Sequence, residues 1–159
     1  MSLNNASDLA RGGAENFSGK RASALNKILD AWSPRVLSVV RIVTALLFME
    51  HGLMKLVHFP AAIPGAPDPL PAIMIVAAVI EIVGGALIAA GVFTRIAAFI
   101  DSGEMAAAYF LAHAPVSFWP GVSQGDAAIL FCFVFFYLVF AGPGAWALER
   151  VVGTKFAES

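Results

Sequence analysis

Nine ionisable side chains stand inside, or at the margins of, otherwise apolar stretches: Arg41, Glu50, His51, Lys55, Glu81, Asp101, Glu104, His113 and Asp126. An ion in an apolar medium persists only when it is paired, hydrogen-bonded or neutralised. Residues of this kind carry protons, hold ligands or fix helices against one another. Glu81 and Glu104 are the candidates for proton movement, because a carboxyl with no cation to balance it keeps an exchangeable proton. His51, Lys55 and His113 are hydrogen-bond donors gathered towards one end of their segments, beside Phe118 and Trp119. Donors next to flat aromatic walls suit a quinone head group, whose carbonyls accept hydrogen bonds and whose ring needs an apolar slot. His51, Lys55, His113 and Trp119 are therefore the expected quinone contacts. Arg41 is expected to pair with an acid at matching depth, Asp101 or Glu104 first and Glu81 third. Three acids exceed one guanidinium, so at least one acid should hold a proton at neutral pH. The alternative is that such pairs only fix helix register.

Other chemistries fit the residues less well. A b-type haem needs two facing histidines at one depth, whereas His51 and His113 are offset by ~8 Å at ~1.5 Å per residue. A di-iron bundle site needs Glu-x-x-His pairs, and the chain has none. There is no glycine-rich phosphate loop, supported Ser–His–Asp motif or nucleotide-binding pattern. The single cysteine, Cys132, lies in an apolar run and reads as a small packing residue. No metal and no haem are expected. A formal net charge of −1 gives no electrostatic reason to expect a nucleic-acid partner.

The segments that must hold these residues are long and apolar. The chain is 59% hydrophobic and 13% charged, about half the usual charged share of a soluble domain. A membrane-crossing helix needs ~20 mostly apolar residues. Four windows meet that test, at about 36–57, 70–92, 96–114 and 127–148, the third weakened by Asp101 and Glu104. Ser33-Pro34 is the expected cap and first helical residue of the first window. Period-two alternation is lacking, and helices are otherwise the way to satisfy backbone groups in lipid. The expected fold is all-α, an antiparallel bundle of four transmembrane helices. On helix 1, Arg41, Thr44, Phe48, His51, Lys55 and His58 share one face, which should look into the bundle.

Basic residues outside the windows set the orientation. Arg11, Lys20, Arg21, Lys27, Arg35, Arg95, Arg150 and Lys155 fall on one side, and connections 58–69 and 115–126 contain no Lys or Arg. Both termini are therefore expected in the cytoplasm of a multi-pass inner (plasma) membrane protein. Trp32 and Trp146 mark the inner interface, Phe118 and Trp119 the outer. Residues 1–33 read as a polar cytoplasmic tail. There, Leu25, Ile28, Leu29 and Trp32 suggest an interfacial helix, with a disordered tail as the alternative. The transmembrane domain covers 34–149, and 150–159 form a cytoplasmic C-terminal tail. No apolar leader segment precedes residue 36, so no cleaved signal is expected. Gly84, Gly85 and Gly91 with Ile88 form a stripe of helix 2, read as close helix packing rather than ligand contact. Gly142-Pro143-Gly144 should bend helix 4 or end it early.

Taken in order, these stretches resemble the DoxX family of small four-helix membrane proteins. The resemblance rests on Arg41 through His51-Gly52 to Lys55; on Glu81-Ile-Val-Gly84-Gly85 through Gly91-Val-Phe-Thr94-Arg95; and on Gly103-Glu104-Met105-Ala106. It continues in Ala112-His113-Ala-Pro115, Phe118-Trp119-Pro120 and Gly142-Pro143-Gly144, covering about 35–150. Two departures are Ser123-Gln124-Gly125-Asp126, where relatives often have an Asn-Gly-Gly-Glu-like turn, and Glu50, where an aromatic residue is usual. The resemblance implies association with quinol oxidase or thiosulfate:quinone oxidoreductase systems, or with soluble redox enzymes. On it, the expected role is a membrane subunit of a quinone-linked oxidoreductase, with quinone at the outer rim and Glu81 and Glu104 moving protons. Other protein subunits or soluble redox enzymes would be its partners within the lipid bilayer. The alternatives are a non-enzymatic anchor or assembly partner, and a small-solute or proton transporter.

Overall fold

The computed structural model describes residues 3–150, with side chains from residue 25 onward. The side chains of Arg11, Lys20 and Arg21, and Lys155 with the C-terminal tail beyond Arg150, lie outside the described residues. All described elements are helical: α1 (Leu3–Leu56), α2 (Ala72–Ala90), α3 (Thr94–Ala108) running into a π-helical turn (Tyr109–His113), α4 (Pro120–Ser123) and α5 (Asp126–Ala141).

Helix α1 does not begin at Ser33-Pro34. It runs through them, with Pro34 in its interior. Proline removes a helical N–H and crowds the carbonyl four residues back, that of Asp30, and side-chain and tertiary donors reach the carbonyls beside it. The Arg35 guanidinium donates to Ala31 O, and Ser38 Oγ donates to Pro34 O at 2.9 Å. Pro34 O also accepts from the backbone N–H of Ala145, at 2.9 Å. A proline read as a start signal is thus a docking point inside a longer helix.

The last helix is shorter than its apolar window. α5 stops at Ala141, because Gly142 and Gly144 adopt φ of 77° and 79° around Pro143. Only glycine enters that region freely, and Pro143 cannot continue the ladder. The chain then folds back along α1. Trp146 N donates to Ser38 Oγ at 3.0 Å, and Glu149 N donates to Gly91 O at 3.1 Å. A side chain at Gly144 would place its Cβ 2.7 Å from Pro34 O, so the segment closes that end of the helices only with glycine there. Helices α2 and α3 are joined through Gly91, whose φ of 70° and bond to Ile88 O make a left-handed cap.

α1 lies along α2, and α3 lies along α5. The first crossing is tight. A Cβ on Gly52 would lie 2.8 Å from Ala78 O, and one on Gly85 would lie 3.0 Å from Ala45 O. In the second, Ser102 Oγ donates to Cys132 O at 2.9 Å. α1 meets α5 through rings, with the Phe48 and Phe135 centroids 4.7 Å apart. The outward faces are apolar on each long helix: Val36, Val43, Ile73, Val76, Ile96, Phe99, Phe133 and Phe140 are all exposed. Water would not tolerate such continuous apolar surface. Among the described residues, two helices, 25–56 and 72–90, are long and apolar enough to cross a membrane.

Candidate functional site

Arg41 is fully buried, its hydrogen bonds go to backbone carbonyls, and the acid within its electrostatic reach is Glu149. Nε donates to Pro143 O at 2.8 Å and Nη1 to Ala89 O at 2.7 Å. Nη1 also reaches Ile88 O, and Nη2 reaches Trp146 O. The guanidinium therefore ties the open carbonyls at the end of α2 to the segment that folds back after α5. A helix C-terminus presents unsatisfied carbonyls and partial negative charge, which an arginine fork suits. The expected ion pair of Arg41 with Asp101 is not formed. Arg95 does the same work at the next helix end, donating to Val139 O and to Phe140 O at 2.5 and 2.7 Å.

Above this floor lies a buried polar cluster. Lys55 Nζ donates to Glu81 Oε1 at 2.5 Å, joining α1 to α2, with Glu81 almost wholly enclosed. Glu81 Oε2, both Asp101 carboxyl oxygens and Glu104 Oε2 are buried without a hydrogen-bond partner among the described residues. The groups lie within electrostatic reach of one another: Asp101 of Glu104 and Glu81, and Glu104 of Glu81 and Lys55. Asp101 rests directly against Gly84, where any Cβ would collide with both carboxyl oxygens. The α2 glycine stripe thus has two uses, since Gly85 packs on α1 while Gly84 makes room for a carboxyl. One ammonium balances one carboxylate, so the arrangement favours acids that keep protons and can exchange them.

The donors expected at an outer rim are engaged separately. Lys55 turns inward to Glu81. His113 Nδ1 bonds Ser123 O at 2.9 Å, its ring stacked on Tyr109, whose hydroxyl donates to Phe118 O. His51 is exposed, its Nδ1 bonding Leu47 O at 2.8 Å and its ring edge-on to Phe131. The prediction that its helix face looks inward fails at His51 and holds at Arg41 and Phe48. Trp119 is exposed and packs against Phe118, not against the donors. Among the described residues the three donors each bond a different protein acceptor, while Lys55 and His51 both lie within electrostatic reach of Glu81.

Thr94 escaped the sequence reading: the first residue of α3, it is fully buried with its hydroxyl unpartnered among the described residues. Asp101, expected as the partner of Arg41, has both carboxyl oxygens without a hydrogen bond among the described residues. The available signal was spacing: Thr94 and Asp101 are two helical turns apart on one face.

A family model described as DoxX matches residues 36–114. An uncharacterized protein of Haemophilus influenzae is 43% identical over 129 residues, covering 77% of this chain and 94% of its own. An uncharacterized membrane protein of Mycobacterium tuberculosis is 27% identical over 151 residues, covering 84% and 91%. No solved structure matches.

Proposed function

Because the chain belongs to the DoxX family of membrane proteins, we propose that it is a multi-pass membrane component whose interior carboxyls take up and release protons for a redox assembly. The observation that carries this is the cluster of Glu81, Asp101 and Glu104, whose buried oxygens lack partners beside a single ammonium, Lys55. Ions at that depth are tolerated for a reason, usually a functional one. The redox association rests on the family resemblance. The membrane reading extends to four crossings, by α1, α2, α3 with its π turn, and α5, giving an antiparallel bundle with both ends in the cytoplasm of the inner membrane. Its support is the apolar outer faces together with the one-sided basic residues.

A second reading, a non-enzymatic anchor, draws support from Arg41 and Arg95, whose bonds all go to backbone carbonyls. The two readings separate at the acids. A hydrophobic carbodiimide modifies carboxyls that hold a proton in an apolar setting. Treating the membrane-embedded protein with dicyclohexylcarbodiimide and mapping adducts by mass spectrometry should find them on Glu81, Asp101 or Glu104 at neutral pH. The adducts should decline as pH rises. If none of the three is modified at any pH, the proton-handling function falls and the anchor takes its place.

A further inference from the structure

The acids are not scattered evenly through the helices; they form a ladder with one closed end. α3 begins at Thr94 beside the Gly91 turn, and Glu149 Oε2 approaches the Thr94 backbone N–H at 3.5 Å from the folded-back segment. Asp101 stands seven residues further along α3, about 10 Å at ~1.5 Å per residue. The face between them carries only Ala97 and Ala98, the smallest side chains available there, both buried. Glu104 follows one turn later, on the same helix. Glu81 comes from α2, one turn beyond the Gly84 that seats Asp101. Lys55, near the far end of α1, closes the series. The Arg95 side of this ladder is the basic, cytoplasmic side of the proposed topology.

We propose that Asp101 is the inner-side proton station of the cluster, reached past Glu149 and Thr94 and seated by the bare Cα of Gly84. The proposal rests on the proton-handling reading above and adds a direction and two residues to it. Asp101 suits the role because its side chain is wholly enclosed, neither oxygen has a hydrogen-bond partner among the described residues, and both oxygens lie over a glycine that leaves them space. The transfer is a simple exchange. A proton on an Asp101 oxygen passes to an ionised carboxylate of Glu104 or Glu81, Asp101 becomes the carboxylate, and a proton from the cytoplasmic face restores it. The charged groups around Asp101 are few. α2 supplies Glu81 and α3 supplies Glu104, and α1 reaches those two acids with Lys55 and Glu81 also with His51. α5 carries no charged residue after Asp126 and contributes Cys132 beside Ser102. The Thr94 hydroxyl is buried without a hydrogen-bond partner among the described residues, and the proposal places it as a polar step on this route.

The test uses full-length protein in inverted and right-side-out membrane vesicles with a buffered lumen. The external pH is stepped and dicyclohexylcarbodiimide adducts on Glu104 and Glu81 are followed by mass spectrometry. Adduct formation should follow the external pH in inverted vesicles and stay constant in right-side-out ones. Asp101→Asn and Thr94→Val should each slow that response by on the order of tenfold or more, and Asp101→Glu should restore it. Thr94→Val keeps the side chain's shape and removes only an unpartnered hydroxyl, so it should fold normally. A response seen from right-side-out vesicles alone, or one unchanged by both Asp101→Asn and Thr94→Val, overturns the inner-station assignment and leaves the proton-handling function standing. Absence of adducts in both vesicle types would overturn that function, and the assignment with it.

Discussion

Arg41 and Lys55 show how an ionisable residue can be visible in a sequence while its partner is not. Burial of Arg41 and its need for acceptors follow from its place in an apolar run, but every residue carries a carbonyl, so no residue type marks the four that hold it. Counting depth from helix ends pairs it with Asp101 only if those ends are level. In the fold, α1 continues past the end of α2, and Arg41 meets the α2 terminus and the Gly142–Trp146 segment. Arg41→Leu should therefore destabilise by roughly 3 kcal/mol or more, since several buried carbonyls lose a charged donor. Adding Asp101→Asn should bring no recovery in thermal unfolding of the detergent-solubilised protein, and Arg41→Lys should recover only part, a single ammonium lacking the planar fork. Lys55 behaves in the opposite way, because its partner is an acid. Lys55→Met alone strands the enclosed Glu81 and should cost roughly 3–5 kcal/mol. Lys55→Met with Glu81→Gln should be clearly more stable than Lys55→Met, a non-additivity that a double-mutant cycle measures.

Element positions were largely legible, because windows of ~20 apolar residues and Gly/Pro punctuation act locally. The expected 70–92 and 96–114 windows correspond to Ala72–Ala90 and to Thr94 through His113. Pro34 misled because α1 runs through it, and its carbonyl holds Ser38 and a segment more than a hundred residues away. Gly142-Pro143-Gly144 was readable as a break, whereas the return of residues 142–149 along α1 depends on tertiary bonds. The crossing of α1 and α2 gives a prediction at this scale. Gly52→Ala would press a methyl against Ala78 O and Ile82 Cγ1, at 2.8 and 2.7 Å, and should cost ~1–3 kcal/mol by overpacking. Gly103 is exposed in the middle of α3, and a methyl placed on it would meet nothing within 4 Å. Gly103→Ala should raise stability by ~0.5–1 kcal/mol through helix propensity alone. Unfolding midpoints of the two variants, shifted in opposite directions, would check the packing.

For the whole molecule, the apolar outer faces and the buried acids fit a membrane protein with a polar interior, and the proposed four-crossing topology would put the basic residues on one side. Single cysteines near Arg95 and after Arg150 should resist an impermeant thiol reagent in intact cells, and cysteines near Pro67 and Ser123 should react; labelling of the Arg95 turn from outside would invert the topology. The general form of the interior was legible, since acids outnumbered nearby cations in the sequence itself. Which acid stayed free depended on how two helix pairs close over a glycine, a feature of packing alone. The central claim is that this interior stores protons on carboxyls at neutral pH. Infrared spectra of the protein in hydrated lipid films measure that directly, through the carbonyl absorption that only a protonated carboxyl gives. Wild-type protein should show this absorption at neutral pH, shifted by deuterium exchange, and Asp101→Asn and Glu104→Gln should each diminish it. Its absence from folded wild-type protein, with all carboxyls ionised, would contradict the account.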